Sequence, residues 1–453
     1  MSQTTRQGSI ERAAGAAAPA TGRRDTQRER IVRAMTLLTA EHDYASTTIA
    51  RVITQAGVSR PTFYEYFADK DDCFRAVLSE TGARFAARVE AAIDGRAPEL
   101  ALAASLEALV ELARVEPHAA KVLFSESLAG GTRALEIRDR VNAELAALVE
   151  ASYLGVDPSL PACDVNGAIL LGGVQRLLAA SLREHEVLPD GTLEELLQWT
   201  SSYEVPLRDH RWRTLEPVAP PVSLPHVEPM LEPAPLAPGR PRQAHEQVAE
   251  HQRQRIMFAA AEISEREGYA DTTIGAVTKR AGVDNRVFHS LFADKEHLFR
   301  AIHEMHFQRM MALSASSFVT AGSWPGRMWE AGRSFAGCLE GSSTLATVSF
   351  VEGCAGGPAA LKRVQRVLDA FTIFLKEGYE YAQDRPRQPS PLALQAIAWT
   401  IFEGVYLLAR ENARPHLAGL LPHAMDLALT PFLGSAEAGA FLDEKLSAPD
   451  TAP

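Results

Sequence analysis

Thr48, Ser59, Arg60, Pro61, Thr62, Tyr64 and Lys70 bring aliphatic and phenolic hydroxyls, a guanidinium and an ammonium into one short stretch around a proline. At helix ends such groups donate hydrogen bonds to phosphate oxygens and fix register against a polyanion. A second set stands at a constant offset of 225 positions, as from Thr48 to Thr273 and from Lys70 to Lys295. There Asn285, Arg286 and His289 replace Arg60, Pro61 and Tyr64. An amide and a guanidinium suit the edges of bases, and the imidazole keeps a donor.

Short helices must carry these groups. Ile31, Ala34, Met35 and Leu38 recur at three- and four-residue spacing and predict an amphipathic helix over Arg28 to Glu41. A second helix is expected from Ile49, where Thr47 or Thr48 can cap its free amides, to Gly57, which suits a left-handed terminus. Ser59 offers a fresh N-cap, Pro61 falls in the first turn where its missing N–H costs nothing, and a third helix follows over Arg60 to Tyr66. Two helices joined by so tight a turn form a helix-turn-helix, whose second helix is exposed and able to enter a DNA major groove. Phe63, Phe67, Phe288 and Phe292 alternate with the polar positions at helical spacing and are assigned to the core.

The whole stretch Arg28 to Val77 recurs without a gap as Arg253 to Ile302, with Ala56-Gly57-Val58 matched by Ala281-Gly282-Val283. A period this long belongs to two fused domains and not to a solenoid. A chain of 453 residues is also too long for one core. The expected order is a disordered tail (1–22), a first DNA-binding unit (23–85), a first helical body (86–215), a proline-rich linker (216–245), a second, divergent unit (246–310) and a second body (311–453). Apolar spacing is helical throughout, so the expected fold class is all-α. The linker's proline-rich stretch Glu216 to Pro241, some 25 residues, reaches at most on the order of 75 Å if extended at about 3.1 Å per residue.

Hydrophobic residues at 46% and charged ones at 23%, with no uninterrupted apolar run of bilayer length, predict a soluble protein with no membrane partner. The N-terminus lacks the apolar core of a secretory signal, which places the protein in the cytoplasm. Cys73, Cys163, Cys338 and Cys354 show no metal-ligand spacing, so free thiols are expected, with no metal and no cofactor. The net charge of −11 opposes polyanion binding only weakly, because arginines gather locally at Arg28, Arg30 and Arg33 and again at Arg253 and Arg255.

Tyr44-x-x-Thr-Thr-Ile, Ala-Gly-Val-Ser-x-Pro-Thr-Phe-Tyr-x-Tyr-Phe-x-Asp-Lys from Ala56 to Lys70, and Phe74 beyond them, resemble the TetR-type transcriptional regulators. The resemblance covers about 50 residues in each half. It implies a three-helix DNA-binding unit followed by a variable helical domain that dimerises and binds a small effector. By the same resemblance Thr62 and Tyr64 meet the DNA backbone, Lys70 meets phosphate, and Arg60 and Pro61 lie nearest the bases.

The second copy departs where contacts are made. Asp284-Asn285-Arg286-Val287-Phe288-His289 stands in place of Ser59-Arg60-Pro61-Thr62-Phe63-Tyr64. Val287 cannot bond a phosphate, and Asp284 would repel one, although it can still cap a helix. Either this copy reads a different half-site, the reading favoured by Asn285, Arg286 and Lys295, or it has become a structural partner.

The bodies also echo each other, Phe124-Ser125-Glu126 against Phe350-Val351-Glu352 and Gly173-Val174 against Gly404-Val405, and the glycine pairs Gly130-Gly131 and Gly356-Gly357 read as helix ends. Glu126 and Glu352, in apolar surroundings, are candidate ligand-binding residues beside the alternative of capping or pairing. Trp324, Trp329, Trp399 and Phe402 are expected in the core, with a cavity wall as the alternative. Apolar faces such as that of Ile169, Leu170, Val174 and Leu177 need a partner, which the other half can supply in one chain, giving an intramolecular pseudo-dimer; a homodimer of fused chains is the alternative. The partners implied are double-stranded DNA and an unidentified small effector. No motif of a hydrolase, metalloprotease, nucleotide-binding loop or dinucleotide fold is present, so an enzyme is not expected. The competing class is a helical module that sequesters a ligand or protein while its second helix-turn-helix no longer binds DNA.

Overall fold

The computed structural model describes residues 20–153, 157, 159–206, 212–213, 222–228, 231–234, 245–386, 388–410 and 417–447. Most of the expected tail and much of the linker lie outside them. The first half runs α1 (Ala20–His42), α2 (Ile49–Ala56), α3 (Arg60–Tyr66), α4 (Lys70–Ile93), α5 (Ala101–Val115), α6 (Pro117–Phe124), α7 (Thr132–Ser152), α8 (Gly167–His185) and α9 (Thr192–Thr200). The second runs α10 (His245–Asp271), α11 (Ile274–Ala281), α12 (Asn285–Leu291), α13 (Lys295–Phe318), α14 (Trp324–Glu340), α15 (Ser343–Ala346), α16 (Gly357–Phe371), α17 (Gly378–Tyr381), α18 (Pro391–Arg410), α19 (Leu417–Leu433) and α20 (Ser435–Ser447). The fold is all-α in both halves. Among the described residues, one antiparallel pair of three-residue strands, Pro161–Cys163 with Glu204–Pro206, is too short to leave an alternating pattern in the sequence.

The helix ends follow local chemistry. Thr48 accepts the Arg51 N–H at 3.3 Å and Ser59 accepts that of Thr62 at 3.2 Å, while Gly57 closes α2 at φ 61°. Thr273 and Asp284 cap α11 and α12 at the equivalent positions. The chain ahead of each helix-turn-helix needs a positive φ, supplied by Asp43 at 102° after α1 and by Gly268 at 85°, where α10 is kinked. Only glycine adopts this without steric cost, so the second copy is the more relaxed of the two there. The glycine pairs mark helix beginnings: Gly131 precedes α7 and Gly357 opens α16.

Phe63, Phe67, Phe288 and Phe292 are buried, as their spacing requires. The core of the first unit runs without a break into the bodies, whereas Ile256, Val277, Phe288, Phe299 and their neighbours form a separate core that meets the body at Val348. Trp324, Trp329, Trp399 and Phe402 are all buried.

α8 packs along α18. A Cβ on Gly173 would lie 2.6 Å from Thr400 Cα, and at the matching positions one on Gly404 would lie 3.4 Å from Ile169 Cδ1. That reciprocity, in which one pair of positions repeats with the halves exchanged, is the signature of a twofold contact. Gly172 and Glu403 are likewise equivalent positions, and they face each other: a Cβ on Gly172 would lie 2.7 Å from Glu403 Cγ. Buried Glu403 is held by Arg138 Nη1 at 2.6 Å and by Arg176 Nε. Tyr406 donates to Asp139 Oδ1 at 3.0 Å, and Arg410 pairs with the same carboxylate at 3.3 Å. α18 is long and apolar enough to cross a membrane, but here it is mostly buried within the protein, its one carboxylate neutralised by two arginines of the first half.

The described part of the linker lies against the second half. Arg333 Nε donates to Ser223 O at 2.9 Å, and Gly337 and Gly341 leave room on α14 for the carbonyls of Pro225 and Val227. Farther on, Glu232 takes both ends of the Arg280 guanidinium at 2.9 Å.

Candidate nucleic-acid interface

The third helix of each unit stands on a buried phenylalanine and turns its other face outward. In the first unit Ser59, Arg60, Pro61 and Tyr64 are exposed and Thr62 is half-buried. Tyr64 is 46% exposed, and an aromatic left that open beside a buried Phe63 leaves its hydroxyl free for a partner outside the chain. The Arg60 guanidinium lies 5.9 Å from the Tyr64 ring centre, and the Thr62 and Ser59 hydroxyls are 2.8 Å apart. Thr48 is exposed at the head of α2. Exposed hydroxyls and a guanidinium therefore stand at the starts of α2 and α3.

Lys70 is more constrained than its type suggests. Its ammonium donates to Tyr44 O at 3.1 Å and sits 4.0 Å from the Tyr44 ring centre, and burial pushes its pKa down. An ammonium has three donors, so one can fix the loop before α2 while the rest face outward. Lys295 repeats the arrangement with Tyr269 O at 2.9 Å.

In the second unit Thr273, Asn285, Arg286 and His289 are exposed. Asp284 accepts the Arg286 and Val287 N–H groups at 2.8 and 3.0 Å, so its carboxylate is engaged as a cap. Asn285 Oδ1 accepts from Thr278 at 3.1 Å, which pins the side chain against α11. The two surfaces thus share a scaffold and differ in what they offer.

Glu126 and Glu352, candidates for a ligand contact or for capping and pairing, each have a backbone partner. Each carboxylate reaches out of the body and accepts a backbone N–H from the loop ahead of the helix-turn-helix, Glu126 from Tyr44 at 3.2 Å and Glu352 from Tyr269 at 2.6 Å. They tie body to DNA-binding unit across long sequence separations. Burial pushes the Glu126 pKa up to about 7, against the Tyr44 N–H bond and Lys121, which lower it. A carboxyl whose pKa is raised on folding binds more protons folded than unfolded between about 4.5 and 7. Its contribution to stability therefore falls as pH rises through that window, by on the order of 2 kcal/mol. Glu126→Gln keeps an acceptor for Tyr44 and is expected to flatten that part of the profile. Urea unfolding of both proteins at pH 5 and pH 7 checks this, and an unchanged difference between the two pH values contradicts it.

A cavity of about 190 Å³ lies in the second body among α13, α14, α16, α18 and α19. Phe335, Phe350, Phe371 and Phe402 line it, and neither Glu126 nor Glu352 does. Phe402 is thus both core residue and cavity wall. Sequence reasoning missed His303, Ser349 and Arg363 at its polar end, because elements distant in the chain bring them together. Among the described residues no cluster of His, Cys, Asp or Glu has the arrangement of a metal site.

The family model for bacterial regulatory proteins, tetR family, matches residues 31–77 and again residues 256–302. No curated protein matches the chain. Similar solved structures include the fatty acid degradation regulator FadR from Bacillus halodurans, 21% identical over 39% of this chain and 94% of that one, with a TM-score of 0.36. FadR from Bacillus subtilis, solved in complex with stearoyl-CoA, is 14% identical over 43% and 97% of the two chains, with a TM-score of 0.34. E. coli NemR in its reduced form is 21% identical over 40% and 98%, with a TM-score of 0.31. Each match spans less than half of this chain.

Proposed function

We propose that this chain, which carries the tetR-family DNA-binding domain twice in tandem, is a transcriptional regulator of that family and acts as a ligand-responsive repressor whose two halves pair within one molecule. On this reading each half supplies one DNA-reading head, and the heads are unequal. The observation that carries it is the reciprocal packing of α8 on α18, Gly173 on Thr400 and Gly404 on Ile169. The pairing of Gly172 with Glu403 favours unlike halves over like ones, because two copies of α18 laid together would bring Glu403 against Glu403. Light scattering that gives one chain mass at micromolar concentration supports the single-chain pair, and twice that mass contradicts it.

Thr48, Ser59, Arg60, Pro61, Thr62, Tyr64 and Lys70 form the proposed contact surface of the first head, and Thr273, Asn285, Arg286, His289 and Lys295 that of the second. The chain acts by binding, in the cytoplasm, with no reaction assigned to it. Binding to random duplex is expected to weaken steeply with salt as counterions are released, which a purely ligand-sequestering protein would not show. Tyr64→Phe removes one exposed hydroxyl without touching the core and is expected to weaken DNA binding by about 1 kcal/mol. Fluorescence anisotropy with labelled duplex measures both, and salt-independent binding sinks the regulator reading.

A further inference from the structure

We propose that the cavity of the second body binds a compact aryl-alkyl carboxylate, an acid of one ring whose apolar part fills the phenylalanine-lined chamber and whose carboxylate meets Arg363. Size sets the first limit. A dry cavity of about 150 Å³ is enough for benzene, so 190 Å³ holds a ring with a short side chain.

The walls set the second. Phe335 meets Phe350 edge-on at 6.2 Å and Phe371 at 5.6 Å, and Phe350 stacks at a tilt on Phe402 at 4.9 Å. A guest ring extends this cluster with the offset and edge-to-face contacts that aromatic pairs favour.

The polar end sets the third. Arg363 lines the chamber with its Nε–H buried and without a partner, and its Nη1 lies 3.7 Å from the exposed Glu296. An orphaned, desolvated guanidinium N–H is costly until an acceptor reaches it, and a carboxylate is the acceptor it bonds most strongly. His303, beside it on the chamber wall, is bonded to Val348 O at 3.2 Å and kept neutral by burial, its pKa pushed down to about 4. Arg363 is therefore the cation that selects the ligand's charge. His303 and Met310 belong to α13, the helix that begins at Lys295 in the second head, so a bound acid touches the element that leads to the DNA-binding unit.

The inference rests on the regulator reading only for the consequence of binding, and its test needs no DNA. Isothermal titration of the full chain with 4-phenylbutyrate and with neutral 4-phenyl-1-butanol is expected to show the acid binding the more tightly. Arg363→Gln is expected to weaken the acid at least about tenfold and to leave the alcohol unchanged. Ala398→Leu, which adds bulk to the chamber wall, is expected to abolish binding of both, with a melting curve to show that it folds. No binding of the acid to the unaltered protein, or equal binding of acid by the Arg363→Gln variant, overturns the proposal. Operator binding measured separately on the same preparations distinguishes that failure from a failure of the regulator reading.

Discussion

Glu403→Ala is expected to destabilise the chain by about 3–5 kcal/mol in urea unfolding, because it leaves buried Arg176 without its carboxylate and buried Arg138 with only Asp139, at 3.1 Å, as counter-charge. Arg138, Arg176 and Glu403 are each at most 2% exposed, so water cannot take the place of the lost carboxylate. The two cations also stack on rings, Arg176 4.6 Å from the Tyr406 centre and Arg138 5.0 Å from it, and these contacts hold them in place after the carboxylate is gone. Burial alone would raise the pKa of Glu403, but the two arginines outweigh it and hold the carboxyl below its usual range. A carboxyl depressed on folding contributes stability above its unfolded value and loses it as pH falls through the folded one. The protein should therefore keep this contribution at neutral pH and lose it only in acid below about 4.5, and the Glu403→Ala variant should lack that acid-sensitive step. A loss under 1 kcal/mol at pH 7 would mean that the triad does not hold the halves together.

The second large effect concerns the heads. Arg60→Glu with Thr62→Glu places two negative charges on the first turn of α3, removes the Thr62–Ser59 hydroxyl contact, and leaves Phe63 and the Ser59 cap on the Thr62 N–H in place. Operator affinity is expected to fall by on the order of 100-fold or more, since a head repelled by phosphate takes with it the advantage of tethered, two-point binding. Arg286→Glu with His289→Glu is expected to cause a loss of the same order if the second head engages DNA. A change below about threefold in that variant would make the second copy a structural partner, the alternative that Val287 and Asp284 leave open. Circular dichroism should show both variants folded, because all four side chains lie outside the buried core.

The parts of this architecture that were legible in the sequence are those set by neighbours in the chain. Thr48, Ser59 and Gly57 announce the helix-turn-helix because caps and left-handed termini act over three or four residues. The duplication was legible for the same reason, since local signals copied together stay in register. Glu126 and Glu352 were legible as equivalents but not in their partners, because Tyr44 and Tyr269 lie 82 and 83 positions away. The Arg138–Glu403–Arg176 triad joins residues of both halves, the longest link spanning 265 positions (Arg138 to Glu403), and no periodicity encodes such a contact. Nothing in the sequence around Arg363 separates it from a surface arginine of an amphipathic helix. Only the enclosure of its Nε by the second body sets it apart.

The central claim is that one chain presents two unlike DNA-reading heads to a single operator. Selection of preferred sites from a pool of random duplex, read out by sequencing, tests it most directly. The account predicts two unlike half-sites whose centres lie about one helical turn, roughly 34 Å, or a multiple of it apart. A selected site that is a perfect palindrome would contradict it, since two identical half-sites require two identical heads.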